Sequence, residues 1–536
     1  MKLLAGIASI ASATLALAAC TSSGHRTQNG KTPGPDQFVA GGTFTMAVGG
    51  DPGNLTPAAA VNAATNLLLS FTNDTLVYSD AHGKVEPRLA DKWVVKPNSV
   101  TLSLHRGATC SDGSAVTPSG VAQYLNYVVN PKTKSLLLGV LIPADMTATG
   151  DDSAGIVTLQ TKGPSPFLLQ AAAAIFIVCG KGVTDPPILA ESTSGSGPYV
   201  LTQFTPNNQY VLNARPGYTW GPNGSSTATK GVPAKVVLKV VTSEATAANL
   251  LLAGDLNAAI FTGVDRSRVQ HAPGVLSSGT AGGTDSIYFN EDTTRVAHDQ
   301  VVRQALAESV DLSQLGEVTS QGFGVKATSL ADLPPEPCQV DSITGHQPSL
   351  NVAAAEAALD KAGWTTGSDG VRVKDGKRLA LKVIFPSDQD AGQSAGAEYL
   401  ASQWKKIGVA VTLQGEATTA YSNALFTTGD WDVTAVGIGL SLPSQFVGYV
   451  SGPAVPKGSN FGHIANPAYD RLAKKAMATS LASGGCNVWA QAAQALFADY
   501  DVVPVVGLTG LVASKGAEVT IIGGFAQPTL FRMLKS

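Results

Sequence analysis

The chain has 536 residues, of which 44% are hydrophobic and 14% are charged, so it can bury a large core and is not expected to be disordered. Its 36 Lys and Arg residues stand against 39 Asp and Glu residues, which leaves a formal net charge of −3. Since the sequence contains no basic stripe, it does not favour nucleic-acid binding.

The amino terminus has the layout of a secretory leader. Met1 and Lys2 precede an apolar run over 3–17 that is too short to span a bilayer. The sequence LAAC at 17–20 resembles a bacterial lipobox, in which the leader is removed and the cysteine is lipidated. We therefore expect a signal peptide over 1–19 and a lipid on Cys20. An ordinary cleaved signal with an incidental cysteine is the alternative.

Residues 20–39 comprise this cysteine and a polar stretch rich in Gly, Ser, Pro and Thr, which predicts a flexible tether. The longest later apolar stretch, 167–179, is interrupted by Gln170 and is too short for a transmembrane helix. Several acyl chains hold a protein stably at a bilayer. The mature chain is thus expected at the extracytoplasmic face of the cell membrane, on the periplasmic or cell-wall side, attached through its lipid anchor only.

Strand and helix patterns alternate along the mature chain, which predicts an α/β architecture. Apolar residues alternate over 100–104 like a half-buried strand, and a Thr-Pro pair at 117–118 then opens a helix with an apolar face. Apolar positions over 397–407 share one helical face, Gly408 supplies a stop, and a strand pattern resumes over 409–413. A chain of this length is expected to form two or more lobes.

Four cysteines follow the lipidation site: Cys110, Cys179, Cys338 and Cys486. In an exported protein an even number favours disulfides, and four cysteines allow three pairings; buried free thiols are the alternative. Their wide spacing lacks the CxxC pairs of a zinc site, and the seven histidines form no ligand-spaced pair. The sequence therefore predicts no metal site.

Metallopeptidase and nucleotide-binding motifs are not found. The sequence contains no HExxH, GxxxxGK[ST] or GxGxxG pattern. SQWK at 402–405 fits S-x-x-K, but neither S-D-N nor K-T-G accompanies it, and it falls on the amphipathic helix predicted above. We therefore expect a protein that is not an enzyme and needs no cofactor.

Short stretches along almost the whole mature chain match, in order, the motifs of one family. They are GGTFTMAVGGDPGNLTP at 41–57, GKVEPRLADKWVV at 83–95, LHRGATCSDGSAVTPSGV at 104–121, GSGPYVL at 195–201, YFN at 288–290, DQVVRQALAESVD at 299–311, AEAALDKAGW at 355–364, GDWDVTAVGIG at 429–439 and SNFGHIANPAYDRL at 459–472. The chain thereby resembles the family 5 extracellular solute-binding proteins, the dipeptide- and oligopeptide-binding components of ABC importers.

The resemblance implies an α/β, two-lobed fold like that of periplasmic binding proteins (type II, cluster C) with an inserted subdomain. By this likeness lobe I comprises 40–70, 193–284 and 505–536, the inserted subdomain comprises 71–192, and lobe II comprises 285–504. The lobes are expected to close over a ligand by hinge motion at the crossovers near residues 284 and 504.

The disulfide pairing follows from this division into lobes. Disulfides between lobes would oppose the hinge motion, so we expect Cys110 to pair with Cys179 and Cys338 to pair with Cys486. Each pair then lies within one predicted lobe.

The resemblance also implies a function. A monomer would capture a short peptide or peptide-like solute in the cleft and deliver it to the permease and ATPase subunits of an ABC importer. A peptide in such a cleft lies extended and pairs its backbone with strand edges. The alternatives are the same fold with a non-peptide cargo such as haem, and a lipoprotein used for sensing.

The family's cleft loop corresponds to 437–441. Gly437 and Gly439 leave the backbone open to close approach, as a chain-pairing ligand requires, and Leu440 and Ser441 follow. A bare turn between strands is the alternative. Many peptide binders of the family have an aspartate at the position of Ser441 that holds the amino terminus of the ligand, so this chain is expected to lack that ionic anchor.

The other candidate ligand-binding residues lie in family segments near the cleft or at the lobe crossover. They are Asp432, Asn460, Phe461, Tyr288 and Asn290. Four of them have a structural alternative: a strand-end charge for the aspartate, a core position for the phenylalanine, and a brace at the hinge for the last two.

Overall fold

The computed structural model of the chain describes residues 35–60, 62–135, 137–387 and 391–535. The signal peptide expected over 1–19 and the lipid site expected at Cys20 lie outside these ranges, as does most of the tether. Within them, no helix combines the length and the apolar character that a membrane crossing requires. The same ranges contain no cluster of three or more His, Cys, Asp or Glu side chains placed to hold a metal ion.

Strands and helices alternate along the described residues. The strands are β1 (Thr43–Val48), β2 (Val77–Ser79), β3 (Val85–Pro87), β4 (Ala90–Lys96), β5 (Ser99–Leu104), β6 (Thr147–Asp151), β7 (Ile156–Gln160), β8 (Tyr199–Thr205), β9 (Gln209–Ala214), β10 (Lys235–Val240), β11 (Ala258–Phe261), β12 (Val275–Phe289), β13 (Thr365–Thr366), β14 (Arg372–Lys374), β15 (Lys377–Arg378), β16 (Ala380–Pro386), β17 (Ala410–Glu416), β18 (Val433–Ile438), β19 (Val502–Lys515), β20 (Ala517–Glu518), β21 (Ile521–Ile522), β22 (Phe525–Ala526) and β23 (Arg532–Met533). The α-helices are α1 (Ala63–Thr72), α2 (Pro118–Val129), α3 (Leu168–Ala174), α4 (Lys181–Thr184), α5 (Glu244–Ala253), α6 (Arg266–Gln270), α7 (Gln300–Glu308), α8 (Leu312–Thr319), α9 (Val352–Lys361), α10 (Ala391–Lys406), α11 (Thr418–Asn423), α12 (Pro443–Val450), α13 (Pro467–Met477) and α14 (Gly485–Ala498).

A mixed sheet of ten strands organises the fold, in the order β17-β16-β18-β12-β19-β11-β1-β10-β9-β8. The long antiparallel strands β12 and β19 lie at its centre and join its two halves. Their register shifts between Asp285 and Ser286, where the partner steps from Val506 to Pro504. A bulge bends paired strands, and this one lies at the two crossovers expected from sequence. It supports our proposal that the lobes meet near residues 284 and 504.

Separate hydrophobic cores accompany the two halves of the sheet. Phe44, Phe71 and Phe531 pack edge to face in one core, and Trp404 with Ile287 belongs to another. A third core fills the space between α2 and the four-stranded sheet β4-β5-β7-β6. Distinct cores are what separately folding units require, so they support the division into two lobes and an inserted subdomain, which we keep as a proposal.

The local sequence predictions hold closely. Strand β5 buries every second residue, and α2 begins at Pro118 with Thr117 Oγ1 accepting a hydrogen bond from the N–H of Gly120 at 3.1 Å. Helix α10 ends before Gly408, whose φ of 83° is in the left-handed region. Strand β17 then lies at the edge of the large sheet, and its Leu413 is 37% exposed.

Both disulfides have the pairing expected from the division into lobes. Cys110 is joined to Cys179 with their Cα atoms 5.8 Å apart. Cys338 is joined to Cys486 with their Cα atoms 5.2 Å apart. The first closes a loop within 71–192 and the second a loop within 285–504, so neither bridge crosses between the proposed lobes.

Candidate functional site

A cavity lies where three parts of the chain meet, and it has a volume of about 760 Å³ including the portion open to solvent. Its walls come from the inserted subdomain, from the carboxyl-terminal strands and from the start of α12. The lining residues are Ser70, Thr75, Tyr78, Ser79, Arg88, Leu141, Gln170, Ala173, Ala174, Phe176, Pro335, Ser441, Leu442, Gln445, Ile522, Phe525, Ala526 and Gln527. A second cavity of about 440 Å³ beside the Cys338–Cys486 disulfide is lined only by residues within 329–493. We take the first as the candidate site because it lies between the proposed lobes.

Four cavity-lining side chains form what we call the polar wall: Ser79, Arg88, Gln170 and Gln527. Three of them have a buried oxygen, Ser79 Oγ, Gln170 Oε1 and Gln527 Oε1, with no hydrogen-bond partner among the described residues. Leaving such a group unpaired costs about 1–3 kcal/mol, and native proteins pair nearly all of them. These three oxygens are shielded from solvent, so a solute that brings N–H or O–H donors would pair with them once the side chains turn towards the cavity.

Arg88 is only 5% exposed and is held by a buried carboxylate. Its Nε donates to Asp74 Oδ1 at 3.0 Å. The same carboxylate accepts hydrogen bonds from Tyr218, Trp220 and Ser196 at 2.8, 2.9 and 3.0 Å. Because β2 and β3 pair antiparallel, Asp74 and Arg88 lie at the outer ends of one small hairpin. This local structure places the guanidinium at the cavity.

Apolar side chains cover much of the rest of the cavity. Phe176 and Phe525 meet edge to face with their ring centroids 5.5 Å apart. Burial, with the neighbouring Asp80 and Glu86 carboxylates, raises the pKa of Tyr78 to about 12, so its hydroxyl keeps its proton at neutral pH. The cavity thus joins aromatic surface with neutral polar groups and the guanidinium of Arg88.

The loop at 437–441 reaches the cavity only at its end. Ser441 lines it, and the N–H groups of Ser441 and Leu442 donate to Gln445 Oε1 at 3.1 and 3.0 Å. A Cβ on Gly437 would lie 2.5 Å from Leu508 Cδ1, and one on Gly439 would lie 2.5 Å from Leu333 Cδ1. The close approach that these glycines permit is therefore used by the protein's own side chains. Leu440 is buried.

Residues 333–337, which we call the proline segment, cross the edge of the cavity. Leu333 donates its N–H to the Leu440 carbonyl at 3.0 Å. A Cβ on Gly83 would lie 2.7 Å from Pro337 Cα, and one on Gly523 would overlap the Pro334 carbonyl oxygen. The segment thus joins proposed lobe II to the inserted subdomain and to the carboxyl-terminal part of lobe I.

The candidates Asn290, Asp432 and Asn460 lie together away from the cavity lining, and we call them the supporting group. Asn290 donates to the carbonyls of Gly429 and Trp431, both at 3.0 Å. Asn460 donates to two carbonyls and accepts a bond from the Ile464 N–H at 3.0 Å. Because the polar atoms of both amides are bonded within the chain, these residues hold loops in place.

Asp432, like the two asparagines, is bonded to other groups within the chain. Its Oδ2 accepts a hydrogen bond from the Lys382 N–H at 2.7 Å, and its Oδ1 lies 3.5 Å from Arg295 Nη1. Burial raises the pKa of this carboxyl, although Lys382 and Arg295 oppose the shift. Asp432 therefore joins β16 to β18. The structural alternative that fits is a brace between strands, not the solvated strand-end charge considered above.

The two aromatic candidates belong to the core. Tyr288 and Phe461 are each 1% exposed, and their ring centroids lie 5.4 Å apart in an edge-to-face contact. Neither lines the cavity. Burial raises the pKa of Tyr288 far above its ordinary value. Of the nine predicted ligand-binding residues, the structure brings only Ser441 to the cavity lining.

Sequence reasoning missed the polar wall. Arg88 lies within one matched stretch, 83–95, but nothing in that pattern marks it as different from a surface arginine. Gln170 drew attention only because it interrupts an apolar run. The position of Arg88 directly before the apolar pair at 89–90, which is fully buried, was a usable signal, since arginine is seldom buried without a partner.

The family assignment rests on comparisons with known proteins. Residues 84–453 match the model of the bacterial extracellular solute-binding proteins, family 5. The chain belongs to this family. Protein XP55 of Streptomyces lividans is 26% identical over 80% of this chain and 76% of its own length. Oligopeptide-binding protein OppA of Lactococcus lactis subsp. lactis is 25% identical over 73% of this chain and 71% of its own length.

A solved structure also matches the whole fold of this family member. The substrate binding protein from Microbacterium hydrocarbonoxydans, complexed with 4-hydroxybenzoate hydrazide, has a TM-score of 0.73 and 25% identity over 92% of this chain and 99% of that one. The expected family and α/β fold are thereby confirmed, and with them the general role of a solute-binding component of an ABC importer. The cargo is a separate question, because these relatives bind different solutes.

Proposed function

We propose that this protein captures short peptides or peptide-like solutes in the cavity between its lobes and delivers them to an ABC permease. The observation that carries the proposal is the polar wall, where three buried oxygens lack a partner among the described residues. Peptide N–H groups are donors that would pair with them. The relationship to an oligopeptide-binding protein supports the same cargo.

The cavity suits a small solute bound without a charged amino-terminal anchor. Apolar walls with a few polar groups, partly open to solvent, are typical of sites for small organic solutes. None of the described residues that line it is Asp or Glu. Ser441 cannot supply the charge-assisted hydrogen bond that a carboxylate gives an ammonium group.

Calorimetry with matched peptides tests this proposal. A pool of di- to pentapeptides is first screened against the purified protein by native mass spectrometry, and the tightest binder is then compared with its N-acetylated form. We expect both forms to bind within a few-fold of each other. Ser441→Asp should shift preference towards the free amine by about ten- to hundredfold. The proposal fails if no peptide is retained.

A compact aromatic amide is the second candidate cargo. It is favoured by the aromatic surface of Tyr78, Phe176 and Phe525, and by the relative complexed with an aromatic hydrazide. The same screen, run with 4-hydroxybenzoate hydrazide in competition with the peptide pool, separates the two cargoes. Displacement of every peptide by the hydrazide would favour this candidate.

We also propose that the protein is lipidated at Cys20 and held at the extracytoplasmic face of the membrane. The support is the lipobox-like LAAC sequence after an apolar leader. Cys20→Ala should release the protein to the medium or leave it unprocessed, as detergent fractionation would reveal. Membrane retention of a correctly cleaved variant would contradict the anchor.

A further inference from the structure

We propose that Arg88 is the anchor for a carboxylate group of the cargo. This inference rests on the proposed function and names the chemical class of its solutes: small acids whose carboxylate lies at the inserted subdomain. The argument uses the donors of Arg88, the carboxylates around it and its place in the cavity.

The bonds within the chain leave part of the guanidinium able to donate. A guanidinium has five N–H donors in a planar fork. The Nε of Arg88 bonds Asp74 at 3.0 Å, the contact from Nη1 to Thr75 Oγ1 is long at 3.5 Å, and the guanidinium also hydrogen-bonds the Tyr218 side chain. These contacts leave N–H donors of the guanidinium for an oxygen of a bound carboxylate.

The partner carboxylate is already saturated. Asp74 Oδ1 accepts from Arg88 and Tyr218, and its Oδ2 accepts from Ser196 and Trp220. Four donors on one carboxylate satisfy both oxygens, so Asp74 can hold Arg88 in position through Nε alone. The arginine is thus oriented before any solute arrives, which lowers the entropy cost of binding.

The nearby Glu86 does not compete for Arg88. Its carboxylate is bonded by Lys84 Nζ at 2.8 Å and by Asn223 Nδ2 at 2.5 Å. With no acidic residue among the described lining residues, no side chain on the cavity surface competes with a solute carboxylate for the guanidinium. The solute carboxylate would bind beside the existing ion pair with Asp74.

The unpaired oxygens of the polar wall agree with this orientation. Ser79 and Gln527 are 7% and 5% exposed, and their buried oxygens need donors. Arg88 on the same wall supplies donors and needs an acceptor. A solute with a carboxylate followed by N–H groups satisfies both requirements, as the carboxyl-terminal end of a short peptide does.

The test is a competition between acids and amides. Equal amounts of a tripeptide pool with free carboxyl termini and the same pool as carboxyl-terminal amides are mixed with the protein, and native mass spectrometry measures retention. We expect the acids to be retained about ten- to hundredfold better, the loss expected for one charge-assisted hydrogen bond. Equal retention would overturn the anchor but not the proposed function. Retention of neither pool would overturn both.

Variants assign the effect to this residue. Arg88→Lys keeps a cation for Asp74 but lacks the fork, so it should lose most of the preference for acids. The double variant Asp74→Asn, Arg88→Gln avoids a lone buried charge and should lose all of it. Arg215→Lys is the control, because Arg215 bonds the carbonyls of Ser196 and Thr109 and does not line the cavity. A preference for acids that survives both Arg88 variants would overturn the assignment.

Discussion

The supporting group and the polar wall both consist of buried polar side chains, but they differ in where their hydrogen bonds end. The side-chain amides of Asn290 and Asn460 form hydrogen bonds with backbone carbonyl and N–H groups. Gln170 and Gln527 each keep a buried oxygen without a partner among the described residues. A side chain that is satisfied internally stabilises the fold, whereas one left unsatisfied beside a cavity gains a hydrogen bond by turning towards a solute that brings a donor. Burial and polarity alone do not distinguish the two.

The largest effect is expected in the supporting group. Asn460→Ala removes three hydrogen bonds at a residue that is 2% exposed and leaves two carbonyls and one N–H without their partner. Unfolding in urea should show a loss of about 3 kcal/mol. The dissociation constant for the tightest peptide should stay unchanged below the melting temperature. If Asn460→Ala instead weakened peptide binding and left the free energy of unfolding unchanged, Asn460 would contact the solute and would not belong to the supporting group.

A smaller effect is expected at the edge of the cavity. Gly523→Ala places a Cβ against the Pro334 carbonyl oxygen, so it should displace the proline segment and weaken peptide binding about tenfold, close to 1.4 kcal/mol. Gly524→Ala is the matched control, since its φ is also positive, at 82°, and its Cβ would meet nothing within 4 Å. Both variants should lose about 1 kcal/mol of stability through backbone strain. Equal affinities in calorimetry would show that the contact is irrelevant to binding.

The polar wall should respond in the opposite way from the supporting group. Gln527→Leu removes an oxygen that has no partner among the described residues, so stability should change by less than about 1 kcal/mol. Peptide affinity should fall about five- to tenfold, because a solute N–H would lose its acceptor. Thermal unfolding with and without peptide measures both quantities. A large loss of stability would place Gln527 in the supporting group.

The smallest effect concerns the pH dependence of the proline segment. Burial, with the Asp332 carboxylate nearby, raises the pKa of Glu336 to about 7. A folded-state pKa above the ordinary value means that this group favours folding at low pH and loses that contribution as pH rises through about 7. Glu336→Gln should therefore raise the melting temperature at about pH 8 and leave it nearly unchanged at about pH 5. An equal change at both values would show that the carboxyl is not responsible.

Much of the fold was predictable because its signals are local or follow chain order. The alternation over 100–104 and the Thr-Pro pair at 117–118 lead directly to β5 and α2. The disulfide pairing followed from the division into lobes. The exposure of Leu413 was not predictable, because the position of β17 at a sheet edge depends on long-range pairing.

The candidate ligand-binding residues stay predictions, for a physical reason. The sequence alone pointed to the family, the α/β fold and the absence of an aspartate at Ser441, since residue types and their order carry this information. The cysteine pairs followed from the division into lobes that the family likeness implies. Whether Asn460 bonds backbone carbonyls while Gln527 keeps an unpaired oxygen depends on which segments meet in space. Only the tertiary structure decides that, because a hydrogen bond requires atoms within about 3.5 Å and chain order does not specify such distances.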